Sequence, residues 1–227
     1  MKKIISVSFL IAVTLLFSGC FGDDVDIKSN RRLLVQGKIT DSTGVPIPNI
    51  TVVTSGNGDK LGQSKTDANG DFYFVSLDEK FDPLDILINV GDDPFFGVSN
   101  NPEYSTISLL SEERTDRLSY NLGTFTLSRK AKLDIILDAV DENSTIQFTA
   151  VYTPIDCRLP LMENTSINCN QSATFEETVT AQSANQFFEI RPVLGSFVIL
   201  EYSANGGPIQ TTEIFIDNEE NSLTLQY

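Results

Sequence analysis

Apolar and polar residues alternate along most of this chain, in short runs that glycine, asparagine, aspartate and proline interrupt. Between Leu84 and Val90, for example, every second residue is apolar, which is typical of a strand with one buried face. The spacing of about 3.6 residues that marks an amphipathic helix is nearly absent. The pattern therefore predicts an all-β fold of the sandwich or barrel type.

The apolar runs form two groups of predicted strands. The first group is predicted at 35–40, 50–54, 61–66, 71–75, 84–90, 104–110 and 118–128. The second group is predicted at 133–140, 145–152, 174–181, 186–194, 196–203, 209–216 and 222–227. Seven short strands in roughly 100 residues are typical of an immunoglobulin-like or prealbumin-like sandwich. We expect two tandem β-sandwich domains, covering residues 32–129 and 130–227.

One predicted strand changes phase in its middle. Alternate residues from Leu118 to Leu122 are apolar, whereas Phe125 and Leu127 continue with the opposite phase. Gly123 lies at the change, and glycine tolerates the backbone of a bulge. The sequence therefore predicts a β-bulge at Gly123.

The amino terminus has a different pattern. Two lysines precede a 14-residue apolar run at 4–17, which is shorter than the roughly 20 residues of a membrane span and typical of a secretory signal. Ser18-Gly19-Cys20 follows and resembles the lipobox of bacterial lipoproteins, whose cysteine is lipid-modified and becomes the first mature residue. The resemblance implies a signal peptide at 1–19 and lipidation of Cys20. The alternative is an ordinary cleaved signal before a coincidental cysteine.

Residues 20–31 are expected to form an acidic tether. Asp23, Asp24 and Asp26 resemble the acidic tract that directs Bacteroidota lipoproteins to the outer face of the outer membrane. The resemblance implies an outer-membrane, lipid-anchored protein that faces the cell exterior. A periplasmic orientation and a plain solvated linker are the alternatives.

The net charge of the chain excludes some partners. The formal charge is −15, and residues 131–227 hold 14 acidic side chains against three basic ones. Such a chain is a poor nucleic-acid binder, because lysine and arginine supply most of that affinity. It is also repelled by anionic head groups. We therefore expect no nucleic-acid partner and membrane contact through the lipid only.

If Cys20 is lipidated, Cys157 and Cys169 remain as a pair. An exported chain meets oxidising conditions, so we expect a disulfide, assigned here to the second domain. Its chain-entropy contribution would be about 3 kcal/mol. A free or metal-binding pair is the alternative, although two thiols without histidine make a poor zinc site.

Residues 35–75 carry a further motif. They contain V-x-G at 35–37, D-x-x-G at 41–44, P-I at 46–47 and T-D-x-x-G-x-F at 66–72. This pattern resembles the carboxypeptidase regulatory-like domain, a small prealbumin-like β-sandwich. The resemblance implies a structural or accessory module without catalytic residues. The alternation in this stretch predicts that Phe72 and Phe74 are buried and that Tyr73 faces the other side.

Histidine and tryptophan are both absent from the chain. The absence of histidine excludes Ser-His-Asp and Cys-His catalysis and histidine-ligated zinc. Pairs of adjacent glutamates would point to opposite faces of a strand, which does not suit two-carboxylate glycosidase chemistry. We expect no enzyme, no catalytic residue and no cofactor.

Two segments are candidate binding elements. Asp67, Asn69 and Asp71 resemble half of a calcium loop, but Phe72 occupies the position where such a loop needs glycine. A β-turn explains the same residues, and we favour the turn over this weak calcium candidate. The segment Asp92–Gly97 contains two phenylalanines and has the composition of a loop. The two rings would form a binding tip if exposed, or would hold the loop against the sandwich if buried.

The function expected from the sequence is a non-catalytic, cell-surface lipoprotein. It would act as a binding or accessory module for an outer-membrane receptor, another surface protein or a glycan. The alternative is a structural stalk or an adhesin-type subunit of a surface assembly.

Overall fold

The computed structural model describes residues 26–90, 100–161, 167–183 and 186–227. These residues form β-strands, turns and irregular segments. The strands are β1 (Ile27–Thr40), β2 (Thr51–Gly56), β3 (Asp59–Lys65), β4 (Asp71–Glu79), β5 (Asp85–Ile88), β6 (Thr106–Leu110), β7 (Ser119–Thr126), β8 (Lys132–Asp138), β9 (Thr145–Tyr152), β10 (Asp156–Pro160), β11 (Ile167–Asn168), β12 (Ala173–Thr180), β13 (Phe187–Ile190), β14 (Phe197–Ala204), β15 (Gln210–Phe215) and β16 (Glu220–Gln226). Within these ranges, no helix is long and apolar enough to cross a bilayer.

The first sandwich consists of two sheets. One has the order β11-β7-β1-β4 and the other the order β10-β6-β5-β2-β3. Strand β1 pairs antiparallel with β4 and parallel with β7. The apolar faces of both sheets meet in one core. Its largest fully buried side chains are Leu33, Ile39, Ile50, Ile86, Ile88, Ile107, Leu109, Leu122, Phe125 and Leu127.

The second sandwich also has two sheets, with the orders β12-β9-β14-β15 and β13-β8-β16. Phe148, Phe175 and Phe188 pack together in its core, with ring centroids 5.5 to 5.9 Å apart. Phe148 and Phe175 lie on neighbouring strands of one sheet, and Phe188 packs against both from the facing sheet. The predicted all-β class with two tandem β-sandwiches is confirmed, whereas the domain boundaries stay a prediction.

The predicted bulge in β7 is confirmed by its register with β1. Gln36 lies opposite Asn121, whereas Lys38 lies opposite Thr124, so β7 contains one extra residue over this interval. Gly123 has a φ of 76°, a conformation that costs glycine little. The bulge returns the residues after it to the core face, which explains the change of phase in the sequence.

Strands β10 and β11 have no counterpart among the predicted strands. Strand β10 pairs parallel with β6, and β11 pairs parallel with β7, so each extends a sheet of the first sandwich. The Cys157–Cys169 disulfide lies in this segment, with its Cα atoms 6.0 Å apart. Cys157 is buried in the first core, not in the second as the sequence led us to expect. We call β10, β11 and the Cys157–Cys169 disulfide the clasp, because β10 pairs with one sheet of the first sandwich and β11 with the other.

Asn89 fixes the chain where it returns to the first sandwich. It is fully buried at the end of β5 and has a φ of 54°. Its Nδ2 donates to the carbonyls of Asn101, Tyr104 and Ser105 at 2.9, 2.9 and 3.1 Å, and its Oδ1 accepts from the backbone N–H of Asn101 at 2.7 Å. One side chain thus satisfies several backbone groups of the segment that leads into β6.

Candidate functional site

Several predicted site residues lie outside the described residues. These are Cys20, the two aspartates at 23 and 24, and the segment Asp92–Gly97. The lipidation of Cys20 and the choice between an exposed and a buried Asp92–Gly97 segment therefore stay predictions.

The aromatic residues of the motif have the predicted orientation. Phe72 and Phe74 are buried, whereas Tyr73 is 65% exposed on the opposite face of β4. The ring of Phe72 packs over Gly37, where an added Cβ would approach it to 2.6 Å. Gly37 is therefore required by the packing of Phe72, which is a structural role.

The weak calcium candidates form a turn. The Asp67 Oδ1 accepts from the backbone N–H groups of Asn69 and Asp71 at 2.8 and 2.9 Å. These hydrogen bonds, that of Asp71 foremost, lower the pKa of Asp67 below its ordinary value. The Asp71 carboxylate lies 3.5 Å from Lys38 Nζ. The described residues contain no group of three or more acidic, cysteine or histidine side chains arranged to hold a metal ion.

A buried ionic cluster lies at the end of β4. Asp78 contacts Arg31 Nε at 2.7 Å and accepts two hydrogen bonds from Arg114 at 3.0 and 3.1 Å. Glu79 is next to it and is 6% exposed, but its Oε2 accepts no hydrogen bond from the described residues. Arg114 joins the segment after β6 to the end of β4, so we assign the cluster a structural role.

An open cavity of about 450 Å³ lies where the two sandwiches meet. Its lining alternates in charge. Arg191 pairs with Glu189 at 2.8 Å, and Arg129 beside the cavity pairs with Glu219 at 2.6 Å. Because these charges neutralise one another, the cavity offers no strong field to an ionic ligand.

The second sandwich exposes an apolar patch on the outer face of β14 and β15. Phe197 and Phe215 lie opposite each other with ring centroids 5.0 Å apart, yet they are 57% and 51% exposed. Ile199 continues the patch along β14 and is 39% exposed. Single exposed apolar residues are common on the surfaces of monomeric proteins. Contiguous exposed apolar side chains, such as this aromatic pair, are instead typical of interaction surfaces.

Strand β15 forms one edge of this sheet and pairs with β14 alone among the described residues. The backbone N–H of Ile216 donates to the carbonyl of Ser196 at 2.9 Å, which fixes the alternation of hydrogen-bonded pairs. The N–H and C=O groups of Thr211, Glu213 and Phe215 consequently point away from β14. No described residue pairs with these outward backbone groups, so another strand can be added there.

The opposite edge of the same sheet has a different surface. On β12 the residues whose backbone groups point outward are Thr174, Glu176, Thr178 and Thr180, since Ala181 N–H donates to Ser144 O at 2.9 Å. None of these side chains is apolar. Only β15 combines a free edge with the aromatic patch, so we take β15 and the patch as the candidate site.

Sequence reasoning did not identify this site. Residues 197–200 are all apolar, so a strand there has to expose two of them if only one face is buried. This run of four apolar residues was therefore a signal in the sequence for an exposed apolar patch. The position of β15 at a sheet edge, however, depends on pairings between distant segments.

No family model matches this chain, and no curated protein matches it either. Among solved structures the chain has distant matches of low sequence identity. For the Bacillus anthracis TIE protein the identity is 12% and the TM-score 0.30, with 87% of this chain and 34% of that chain covered. For a streptococcal ancillary pilin these values are 11%, 0.27, 88% and 63%.

The tip fimbrial protein Mfa3 from Porphyromonas gingivalis, truncated at its C terminus, is 13% identical with a TM-score of 0.28, and the match covers 81% of each chain. The chain thus spans less than two thirds of the first two proteins. TM-scores this low reflect weak superposition and carry no argument about this chain. The carboxypeptidase regulatory-like resemblance remains a sequence-based proposal.

Proposed function

We propose that this protein is a non-catalytic binding module of the cell surface, held in the outer membrane by a lipid on Cys20. It binds a protein partner by adding an extended segment of that partner to the free edge of β15. The observation that carries the proposal is this edge, where the backbone groups of the alternate residues Thr211, Glu213 and Phe215 point outward beside the exposed pair Phe197 and Phe215. Backbone hydrogen bonds would supply affinity and the patch would supply specificity.

The composition of β15 favours strand addition. Natural sheet edges are usually blocked by lysine, proline, a bulge or a covering loop. The strand Gln210–Phe215 contains no lysine or proline, pairs with β14 in uninterrupted register, and is exposed at every position except the half-buried Ile214. An edge left open in this way is ready to pair with another chain.

The charge around the edge indicates the chemistry of the partner segment. Glu201 and Glu213 flank the patch, and residues 131–227 hold 14 acidic side chains against three basic ones. A second copy of the chain would be repelled by the same charges. We therefore propose a cationic partner segment in which lysine or arginine alternates with apolar residues.

A proline substitution tests the edge directly. Glu213→Pro removes one outward N–H of β15 but no hydrogen bond to β14. The matched control is Glu176→Pro, which changes the same residue type at an equivalent outward position of β12. The probe is a ten-residue peptide of alternating lysine and valine, measured by fluorescence anisotropy with the full chain. We expect Glu213→Pro to weaken binding at least about tenfold and Glu176→Pro to leave it unchanged.

Two results would contradict strand addition at β15. One is equal weakening by both proline variants, which would indicate attraction to the acidic surface in general. The other is unchanged binding by Glu213→Pro. A peptide of alternating glutamate and valine serves as the charge control and is expected not to bind.

The alternative function is a stalk or an adhesin-type subunit. One observation favours it: the clasp comes from the second half of the chain but pairs with β6 and β7 of the first sandwich. Such an exchange would restrict motion between the sandwiches, which suits a spacer. We propose a first unit at 27–129, since β1 begins at Ile27 and not at the expected residue 32, and a second at 130–227, with the clasp of the second unit added to the first.

A further inference from the structure

The outer face of sheet β4-β1-β7 has a regular grid of side chains. Tyr73, Gln36 and Asn121 form one row across the three strands, because Gln36 is the register partner of both neighbours. Asp71 and Thr124 flank Lys38 in the next row. These rows line an open groove of about 400 Å³ on the first sandwich, far along the chain from β15.

Two side-chain amides in this groove have unused hydrogen-bonding capacity. Neither Gln36 nor Asn121 makes a side-chain hydrogen bond to any other described residue, although both lie on neighbouring strands and face the same side. Each amide offers donors and an acceptor at fixed spacing. Adjacent hydroxyl groups, as on a sugar ring, present the complementary donors and acceptors.

An aromatic platform lies at one end of this row. Tyr73 is 65% exposed, and its ring stands on a strand whose inward neighbours Phe72 and Phe74 are buried. Its position is therefore fixed by the core although its ring is open. A tyrosine ring offers apolar area to the C–H face of a sugar while its hydroxyl stays in water.

The groove is electrically neutral in a chain of net charge −15. Its two charged residues, Lys38 and Asp71, lie 3.5 Å apart and neutralise each other. The groove therefore does not favour an anionic or a cationic ligand. A ligand held by an aromatic ring and two amides, without net charge on either side, has the chemistry of a neutral glycan.

We propose that the groove between β4, β1 and β7 is a binding site for a neutral oligosaccharide. One sugar ring stacks on Tyr73, and its hydroxyls bond to the amides of Gln36 and Asn121. The proposal is independent of the strand addition at β15, since the two sites lie on different sandwiches.

The test titrates the full chain with neutral gluco-, xylo- and manno-oligosaccharides and follows binding by calorimetry and by amide chemical shifts. We expect at least one of these to shift resonances of β1, β4 and β7. Tyr73→Ala is expected to weaken that binding at least about tenfold, while Tyr73→Phe retains it. Gln36→Leu is expected to weaken it as well. The matched control is Val75→Ala, an exposed change on the same face of β4 outside the groove.

Three outcomes would overturn the glycan site. None of the oligosaccharides shifts the resonances of these strands, or Tyr73→Ala binds as wild type does, or Val75→Ala weakens binding as much as Tyr73→Ala. The last result would indicate an apolar contact surface for a protein. The melting temperature of each variant reports whether the fold is intact, and all three substituted positions are on the outer face of the sheet.

Discussion

At the scale of single residues, Glu79 is the carboxyl group least compatible with its surroundings. Burial against the core, a hydrogen bond with the Asp82 carboxyl and the charges of Asp82 and Asp59 raise the pKa of Glu79 to about 7. The carboxylate is adjacent to Gly56, where an added Cβ would lie 2.1 Å from Oε2. The protonated form is thus favoured in the folded state, unlike in the unfolded chain, where its pKa is near 4.5.

This shift predicts a pH dependence of stability. Because the folded pKa of Glu79 is raised, its contribution is fully present below pH 4.5 and is lost as the pH rises to about 7. We expect the free energy of unfolding to fall across this window, by at most about 3 kcal/mol. Glu79→Gln should remove the fall, since an amide does not ionise in this pH range. Denaturant unfolding of wild type and Glu79→Gln at pH 4.5, 6 and 8 measures the free energy of unfolding.

The matched control for Glu79 is Glu113→Gln, an exposed change in the same sandwich that should keep the wild-type pH dependence. The pKa values of Asp41, Asp67 and Asp116 are lowered by hydrogen bonds, so their contributions change only below their ordinary value of 3.8. The pH range in which these aspartates affect stability therefore does not overlap the range of pH 4.5 to about 7 in which Glu79 does. If the free energy of unfolding depends on pH in the same way in wild type and Glu79→Gln, the pH dependence does not come from Glu79.

At the scale of strands, the local alternation of apolar and polar residues was sufficient to predict each strand that has one buried and one exposed face. All the predicted strands correspond to observed ones, and β1 differs most because it begins at Ile27 and not near residue 35. The motif at 35–75 likewise indicated which aromatic residues are buried. The sequence pattern predicts the buried residues because the alternation within each strand determines which of its two faces is buried.

The clasp and the binding edge could not be predicted in the same way. Strands β10 and β11 are only five and two residues long, and they are strands because β6 and β7 offer parallel partners from distant parts of the chain. The edge position of β15 has the same origin. Pairing between remote segments is set by the whole fold, and a single sequence does not show it.

The location of the clasp predicts which strands depend on the disulfide. Replacing Cys157 and Cys169 by serine should loosen β10 and β11 and destabilise the first sandwich by about 3 kcal/mol in the chain-entropy description. Hydrogen exchange should then increase at Thr106–Leu110 (β6) and Ser119–Thr126 (β7). Amides of β9 and β12 in the second sandwich serve as the internal control.

An increase confined to β9 and β12 would contradict this location and return the disulfide to the second sandwich. Thiol labelling of the unfolded, unreduced chain gives an independent check. Neither Cys157 nor Cys169 should react, and reaction of both would refute the bridge.

At the scale of the whole molecule, the two proposed sites require the chain to be presented at a surface. The strand edge of β15 lies on the second sandwich, and the groove beside Tyr73 lies on the first. The tether expected at 20–31 is shorter, because β1 already begins at Ile27; residues 20–26 would hold both sandwiches away from the bilayer. Its acidic residues and the net charge of −15 would oppose adsorption to anionic lipids.

Attachment by lipid alone predicts the behaviour of a Cys20 variant. We expect Cys20→Ala to leave the protein soluble or poorly matured, because the remaining acidic chain has no electrostatic attraction to the membrane. Wild type should fractionate with the outer membrane, resist a high-salt wash and carry acyl chains on Cys20 by intact mass. The double serine variant of Cys157 and Cys169 is the control and should remain membrane-bound. A mature amino terminus elsewhere, without acyl chains, would refute the anchor and leave surface presentation to another mechanism.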